Sequence, residues 1–168
     1  FVHGAMCYSY SGQCLMSSLA GGRSGNRGRC AQPCRKCYDG SYLLSMKDMC
    51  TLKDIPKLIE AGIDSLKIEG RMKNIYYVAS AVHAYRTMVD DYVNGCFDEK
   101  KAEALTFELA NIYNRGGFSD GYFFCRNDAG MISKNRPNNQ GVCIGELKNT
   151  GNGTVHILLH ETLYKQDV

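Results

Sequence analysis

The sequence holds no tryptophan, only three prolines and four histidines, and no acidic residue before Asp39. Each shortage narrows the field. Few prolines beside 44% hydrophobic residues describe an ordinary globular chain, not a disordered one. No run of eighteen apolar residues occurs, so no membrane span is expected. The histidines His3, His83, His156 and His160 fit no HExxH pattern, and no G-x-S-x-G is present. The metalloprotease and serine-hydrolase signatures are thereby missing. The lack of acid at the start leaves Arg23, Arg27, Arg29 and Arg35 unopposed, although the net charge is only +3. Such a patch suits an anion: a phosphate backbone, a carboxylate substrate or an anionic metal centre. A solvated loop surface is the plainer alternative.

Cysteine, by contrast, is plentiful. Nine is an odd number, and the Leu- and Ile-bearing remainder does not resemble a small disulfide scaffold. A reducing cytoplasm, with some thiols on a metal, is the expected setting. Four of the nine, Cys7, Cys14, Cys30 and Cys34, are separated by six, fifteen and three residues, on a stretch with five glycines from Gly12 to Gly28. That spacing describes a folded-back loop gathering ligands round one centre. Thiolates favour zinc or iron–sulfur centres. Six residues between the first two cysteines are loose for a zinc knuckle, whereas a cubane is wider and tolerates irregular spacing. A four-iron, four-sulfur (4Fe–4S) cluster is therefore the expectation, with zinc and unligated buried thiols as alternatives. Cys30, Cys34 and Cys37 also make C-x3-C-x2-C, the radical S-adenosylmethionine spacing, but Lys36 stands where an aromatic residue usually precedes the third cysteine. Cys37 and Cys50 lie near enough in sequence to confuse the ligand set. Cys96, Cys125 and Cys143 read as small core residues.

Periodicity predicts a strand tail over 1–7, a short helix over 15–19, strands over 41–45 and 65–68, and helices over 52–61, 74–93 and 98–112. Beyond Gly117 the texture becomes strand-like, at 121–125, 141–147 and 154–159. The expected class is α/β: a parallel, TIM-barrel-like core over 1–120, of which this is the C-terminal half, followed by the start of a β-rich domain over 121–168. Chemistry in such folds sits beyond the carboxyl ends of the strands, where the cysteine loop, Lys47-Asp48 and Glu69 to Arg71 all fall. Glu69 can accept a proton and Arg71 can clamp an anion, or the two can be a structural ion pair. Asp48 can equally be a helix N-cap. Tyr76, Tyr77, Tyr85 and Tyr92 read as helix packing before a base-stacking platform. His3 is the one histidine near the cysteine loop, so a Cys7–His3 dyad is conceivable.

Several stretches resemble the collagenase-like peptidase family, family U32: Gly4 to Cys7, Gly12 to Ser17, Gly22 to Ser24, Asn26 to Gly28, Cys30 to Arg35, Tyr42 to Asp48 and Gly62 to Lys73. The likeness fades after Gly121. The family signature begins before Phe1, so the resemblance implies an internal fragment lacking an N-terminal half. It also implies a barrel-like fold with β-rich domains and two possible activities. One is proteolysis, as the family name states. The other is oxygen-independent hydroxylation of an RNA base in tRNA or rRNA, or of the ubiquinone ring. The hydroxylating relatives carry a four-cysteine cluster site that maps onto Cys7, Cys14, Cys30 and Cys34, and the RNA-acting ones are linked to prephenate as oxygen source. The expectation is an iron–sulfur RNA-base hydroxylase, with peptidase as the alternative. Glu69 and Arg71 are its candidate catalytic residues. Arg23, Arg27 and Lys47 are its candidate substrate or anion contacts.

Overall fold

A computed structural model describes residues 1–10, 13–124, 129–151 and 153–162. Strand β1 (His3–Ala5) lies beside β2 (Asp48–Cys50), and β2 lies beside β3 (Phe118–Ser119). On its other side β1 is flanked by the segment before Glu69. Val2 donates to the Lys67 carbonyl at 2.9 Å, Glu69 donates to the His3 carbonyl at 2.9 Å, and Ile68 bridges His3 in parallel. The strand expected over 65–68 is thus a single parallel bridge. Gly4 makes this approach possible: at φ +118°, a Cβ there would stand 2.6 Å from the Glu69 carbonyl oxygen.

The β2–β3 pair is parallel, but β1 and β2 run antiparallel, with Ala5 opposite Asp48. Alternation of strands and helices led to the expectation of parallel neighbours. The connection from β1 to β2 is the cysteine loop, not a helical crossover, and so it can return the chain in the opposite sense. The strand itself falls at 48–50 and not at 41–45, where Tyr38 and Ser41 make one isolated bridge. Asp48 is a strand residue, not an N-cap. No closed barrel forms among the described residues.

Helix α1 (Met16–Gly21) opens the cysteine loop. Helices α2 (Ile55–Glu60), α3 (Ile75–Val93) and α4 (Glu99–Ile112) follow the predicted periodicity closely. Asn74 caps α3 by accepting from the Tyr77 amide at 2.8 Å. The main core joins these helices to the sheet through Val2, Leu52, Ile55, Leu58, Ala81, Ala84, Tyr85, Met88, Ala102 and Leu109. Tyr85 anchors it: its hydroxyl donates to the Val2 carbonyl at 2.7 Å and accepts from the Thr51 amide at 2.8 Å. The packing role expected for Tyr77 and Tyr85 holds, whereas Tyr76 is exposed.

Residues 129–141 belong to this body. Lys47 donates to the Met131 carbonyl at 2.8 Å and Ser133 donates to the Ser45 carbonyl at 2.7 Å. The strand expected over 121–125 is a turn as far as Phe124, and Cys125 lies outside the described residues. Strands β4 (Gly145–Gly151) and β5 (Thr154–Leu159) form the expected antiparallel hairpin, and every residue of β5 is exposed. Cys96 and Cys143 are exposed too, against their expected place in the core.

Candidate functional site

The loop from Met6 to Lys47 has little regular structure, so its shape rests on side chains that bond to distant backbone. Arg35 follows Cys34 at the end of the 3-10 turn Pro33–Arg35. Its guanidinium donates to the Met6 carbonyl at 2.9 Å, to Ser45 Oγ at 2.9 Å and to the Met46 carbonyl. One half-buried side chain therefore ties the residue next to Cys34 to the residue next to Cys7, and both to the approach of β2. Buried Ser17, just beyond Cys14, accepts from the Ala31 amide at 2.8 Å. That bond ties the start of α1 to the residue after Cys30. Arg23 closes the remaining bend by donating to the Arg29 carbonyl at 2.9 Å.

Two hydrogen bonds thus stitch the four cysteine-bearing segments in pairs. The eight cysteines among the described residues are all free thiols. Burial pushes the Cys34 thiol up, Arg35 opposes this, and the charges of Cys7 and Cys30 push it up further. Three of the four sulfurs therefore stand within electrostatic reach of one another. No group of three or more His, Cys, Asp or Glu side chains closes tightly enough for a single metal ion among the described residues. The all-thiol donor set and its looser gathering suit a wider centre than one ion.

Two cavities flank this loop. One, of about 1230 Å3, opens at Cys7 and is walled by Phe1, Tyr8, Tyr10, Lys67 and Tyr122. The other, of about 840 Å3, opens at Cys30 and is walled by Arg71, Lys73, Tyr77, Tyr113 and Arg115. Ala5 and Glu69 border both. Glu69 and Arg71 pair with each other at 3.0 Å, and the Glu69 carboxylate also accepts from the Arg71 amide at 3.2 Å. These bonds hold the Glu69 carboxyl below its ordinary value, so it is ionised.

The second cavity has a charged floor. Asp48, on β2, is buried and pairs with Arg115 at 2.6 Å. Burial pushes the Asp48 carboxyl up, and Arg115, Lys73 and Arg35 pull it back. Arg115 is aimed by buried Asn114, whose amide oxygen accepts from Gly116 at 2.9 Å and Gly117 at 2.8 Å. The Asn114 amide nitrogen donates to Ala110 at 2.8 Å and Gly141 at 2.9 Å. Lys73 sits against the face of Tyr113, with Tyr77 beside it. Burial brings its amine down to about 8.

Of the residues singled out by sequence, Cys7, Cys30 and Cys34 are brought together, and Cys14 is joined through Ser17. Glu69 and Arg71 pair at the wall of the cavities. Arg23 and Arg27 are exposed on the loop, and Lys47 is half-buried beside Asp48. His3 does not meet Cys7. It is fully buried between Tyr77, Tyr85 and Phe118, at 5.6 Å from each ring, and neither nitrogen has a hydrogen-bond partner. Burial, then Lys73, lowers its imidazole to about 4. Lys73 and Arg115 carried no sequence signal beyond the place of Lys73 in the Gly70 to Lys73 motif, since the Asp48–Arg115 pair spans 67 positions.

Comparison with known proteins decides the family. The model of Peptidase family U32 matches residues 1–133. The chain belongs to that family. A tRNA hydroxylation protein P1 of Bacillus subtilis is 46% identical over 109 residues, covering 55% of this chain and 26% of that protein. A collagenase of Porphyromonas gingivalis is 37% identical over 134 residues, 73% of this chain and 37% of its own length. The 23S rRNA 5-hydroxycytidine synthase of Escherichia coli is 33% identical over 184 aligned positions, 99% of this chain and 28% of its own length. The U32 chain thus spans about a third or less of these relatives, whose names include both hydroxylases and a protease. No solved structure matches it. No helix among the described residues is long and apolar enough to cross a membrane.

Proposed function

We propose that this U32 chain carries the cofactor-binding part of an RNA-base hydroxylase acting on tRNA or rRNA, within the C-terminal half of a TIM-barrel-like domain. Cys7, Cys14, Cys30 and Cys34 would hold a 4Fe–4S cluster, which supplies electron-transfer chemistry that no side chain here provides. The observation that carries the reading is the stitching of four thiol-bearing segments by Arg35 and Ser17 between two cavities. A hydroxylation with a separate oxygen source needs two substrate places on one centre. The aromatic cavity at Cys7 suits a nucleobase by stacking. The cationic cavity at Cys30 suits an anionic co-substrate such as prephenate. Exposed Arg23 and Arg27, with Lys47, would meet RNA phosphates. Glu69, kept ionised by Arg71, is the carboxylate between the two places and can accept a proton or orient a substrate N–H. The names of the hydroxylating relatives support the substrate class.

Proteolysis is the competing reading, and the collagenase relative supports it. It needs an activated nucleophile, and buried His3 has no partner for either nitrogen. The test is anaerobic purification followed by an absorption spectrum, iron and sulfide analysis, and assays for RNA hydroxylation and peptide cleavage. The expected result is about four irons per chain in the parent, with loss of iron and of hydroxylation in Cys14→Ser. Peptide cleavage that survives in Cys14→Ser, with no iron in the parent, would sink the hydroxylase.

A further inference from the structure

We propose that Lys73 and Arg115, with the phenol of Tyr77, form a receptor for a small carboxylate-bearing molecule in the cavity that opens at Cys30. Three donors without acceptors carry the inference. Among the described residues, Arg115 Nε and Tyr77 Oη are buried with no hydrogen-bond partner. The Lys73 ammonium makes only ring contacts among its printed interactions, to Tyr77 and Tyr113. All three residues line one cavity of about 840 Å3, the size of a metabolite site. Buried donors left unmatched are costly, and a carboxylate supplies the lone pairs that they lack. Burial raises the Tyr77 phenol far above its usual value, so it stays a donor.

The charge balance points the same way. Asp48 neutralises one cation, Arg115, at 2.6 Å, and Glu69 neutralises Arg71 at 3.0 Å. Lys73 is left over, beside the guanidinium of Arg35. Arg115 keeps its Nε edge free for a ligand while its other edge holds Asp48. A carboxylate is preferred over a chain phosphate because the three donors are half-buried or deeper and flanked by two tyrosine rings. The exposed arginines of the cysteine loop are the better fit for a polymer. The candidate anion residues read from sequence, Arg71 and Lys47, are thereby supplemented by two that are better placed. The receptor sharpens the proposed function only by saying where its co-substrate sits. Its test uses binding without turnover, so the two can fail separately.

Lys73 makes the receptor sensitive to pH. The groups facing it are Asp48 of β2, Arg115 and Tyr113 beyond α4, Arg35 of the cysteine loop, Tyr77 of α3 and His3 of β1. With its amine at about 8, Lys73 is charged below that pH and neutral above it. Anion affinity should therefore fall as pH rises through about 8. The experiment is calorimetric titration of the intact chain with succinate, with succinamide as the uncharged control and a short single-stranded RNA as competitor. Lys73→Met should weaken succinate roughly 10- to 100-fold, as loss of one charge-assisted hydrogen bond does. Lys73→Arg should restore binding and remove its loss above pH 8. Equal binding of succinate and succinamide, or an unchanged affinity in Lys73→Met, overturns the receptor. RNA that displaces succinate and itself depends on Lys73 assigns the cavity to phosphate and also overturns it. The pH titration of the unaltered protein needs no variant and guards against a folding defect in Lys73→Met.

Discussion

The helical layer and the cysteine loop are held together in opposite ways. In the first, α2, α3 and α4 bury a continuous apolar surface against β1 and β2, and many contacts share the load. In the second, the backbone from Met6 to Lys47 has only α1 and two 3-10 turns, and much of its surface is exposed. Its shape depends on a few side chains, chiefly Arg35 and Ser17, each bonded to backbone far along the chain. The difference teaches that the thiols can be loosened without unfolding the protein. A core defect, in contrast, acts on everything at once.

The comparison can be broken most strongly from the core side. Ile55→Ala removes a side chain with no exposed surface, and should cost about 3 kcal/mol in chemical denaturation. A loss under about 1 kcal/mol would mean that the core is not what carries the stability.

Acid gives an effect of similar size through His3. Its folded value of about 4 lies below the unfolded value of 6.5, so the unfolded chain takes up the proton first. Stability should be fully present above pH 6.5 and should fall by about 3 kcal/mol towards pH 4. Denaturation midpoints of the parent and His3→Phe across that window check it, and equal slopes would refute the assignment.

Arg35→Leu tests the loop side. It breaks three hydrogen bonds yet leaves the core alone, so a cost of about 2 kcal/mol is expected, with a disproportionate loss of metal content after anaerobic reconstitution. Full metal content in Arg35→Leu would remove the guanidinium from the account of the site.

The exposed Lys53–Glu103 pair at 2.7 Å supplies the lower bound. Lys53→Ala should change stability by about 0.3 kcal/mol, and high salt should erase the difference.

Much of the helical layer was legible before any coordinates. Ile55, Leu58, Ala81, Tyr85 and Leu109 recur in helical phase, and local periodicity alone places them inward. The strands were less legible. Three-residue strands such as 48–50 are too short to show alternation, so Tyr42 to Ser45 drew the assignment instead. The antiparallel turn of β2 against β1 could not be read, because the intervening loop has no period. At the site, the cysteines announced themselves by type and spacing. Lys73 and Arg115 did not: lysine and arginine look alike on a solvated face and on a cavity floor.

The sequence by itself determined the family, the helices and the identity of the clustered thiols. Those are properties of neighbouring residues, whose spacing and chemistry are fixed along the chain. Tertiary structure alone decided that His3 is sealed from Cys7, that Arg35 is a tie and not a phosphate contact, and that Asp48 and Arg115 share a cavity floor with Lys73. Those outcomes depend on which distant segments pack together, and burial, not residue type, sets their charge and their free hydrogen-bonding atoms.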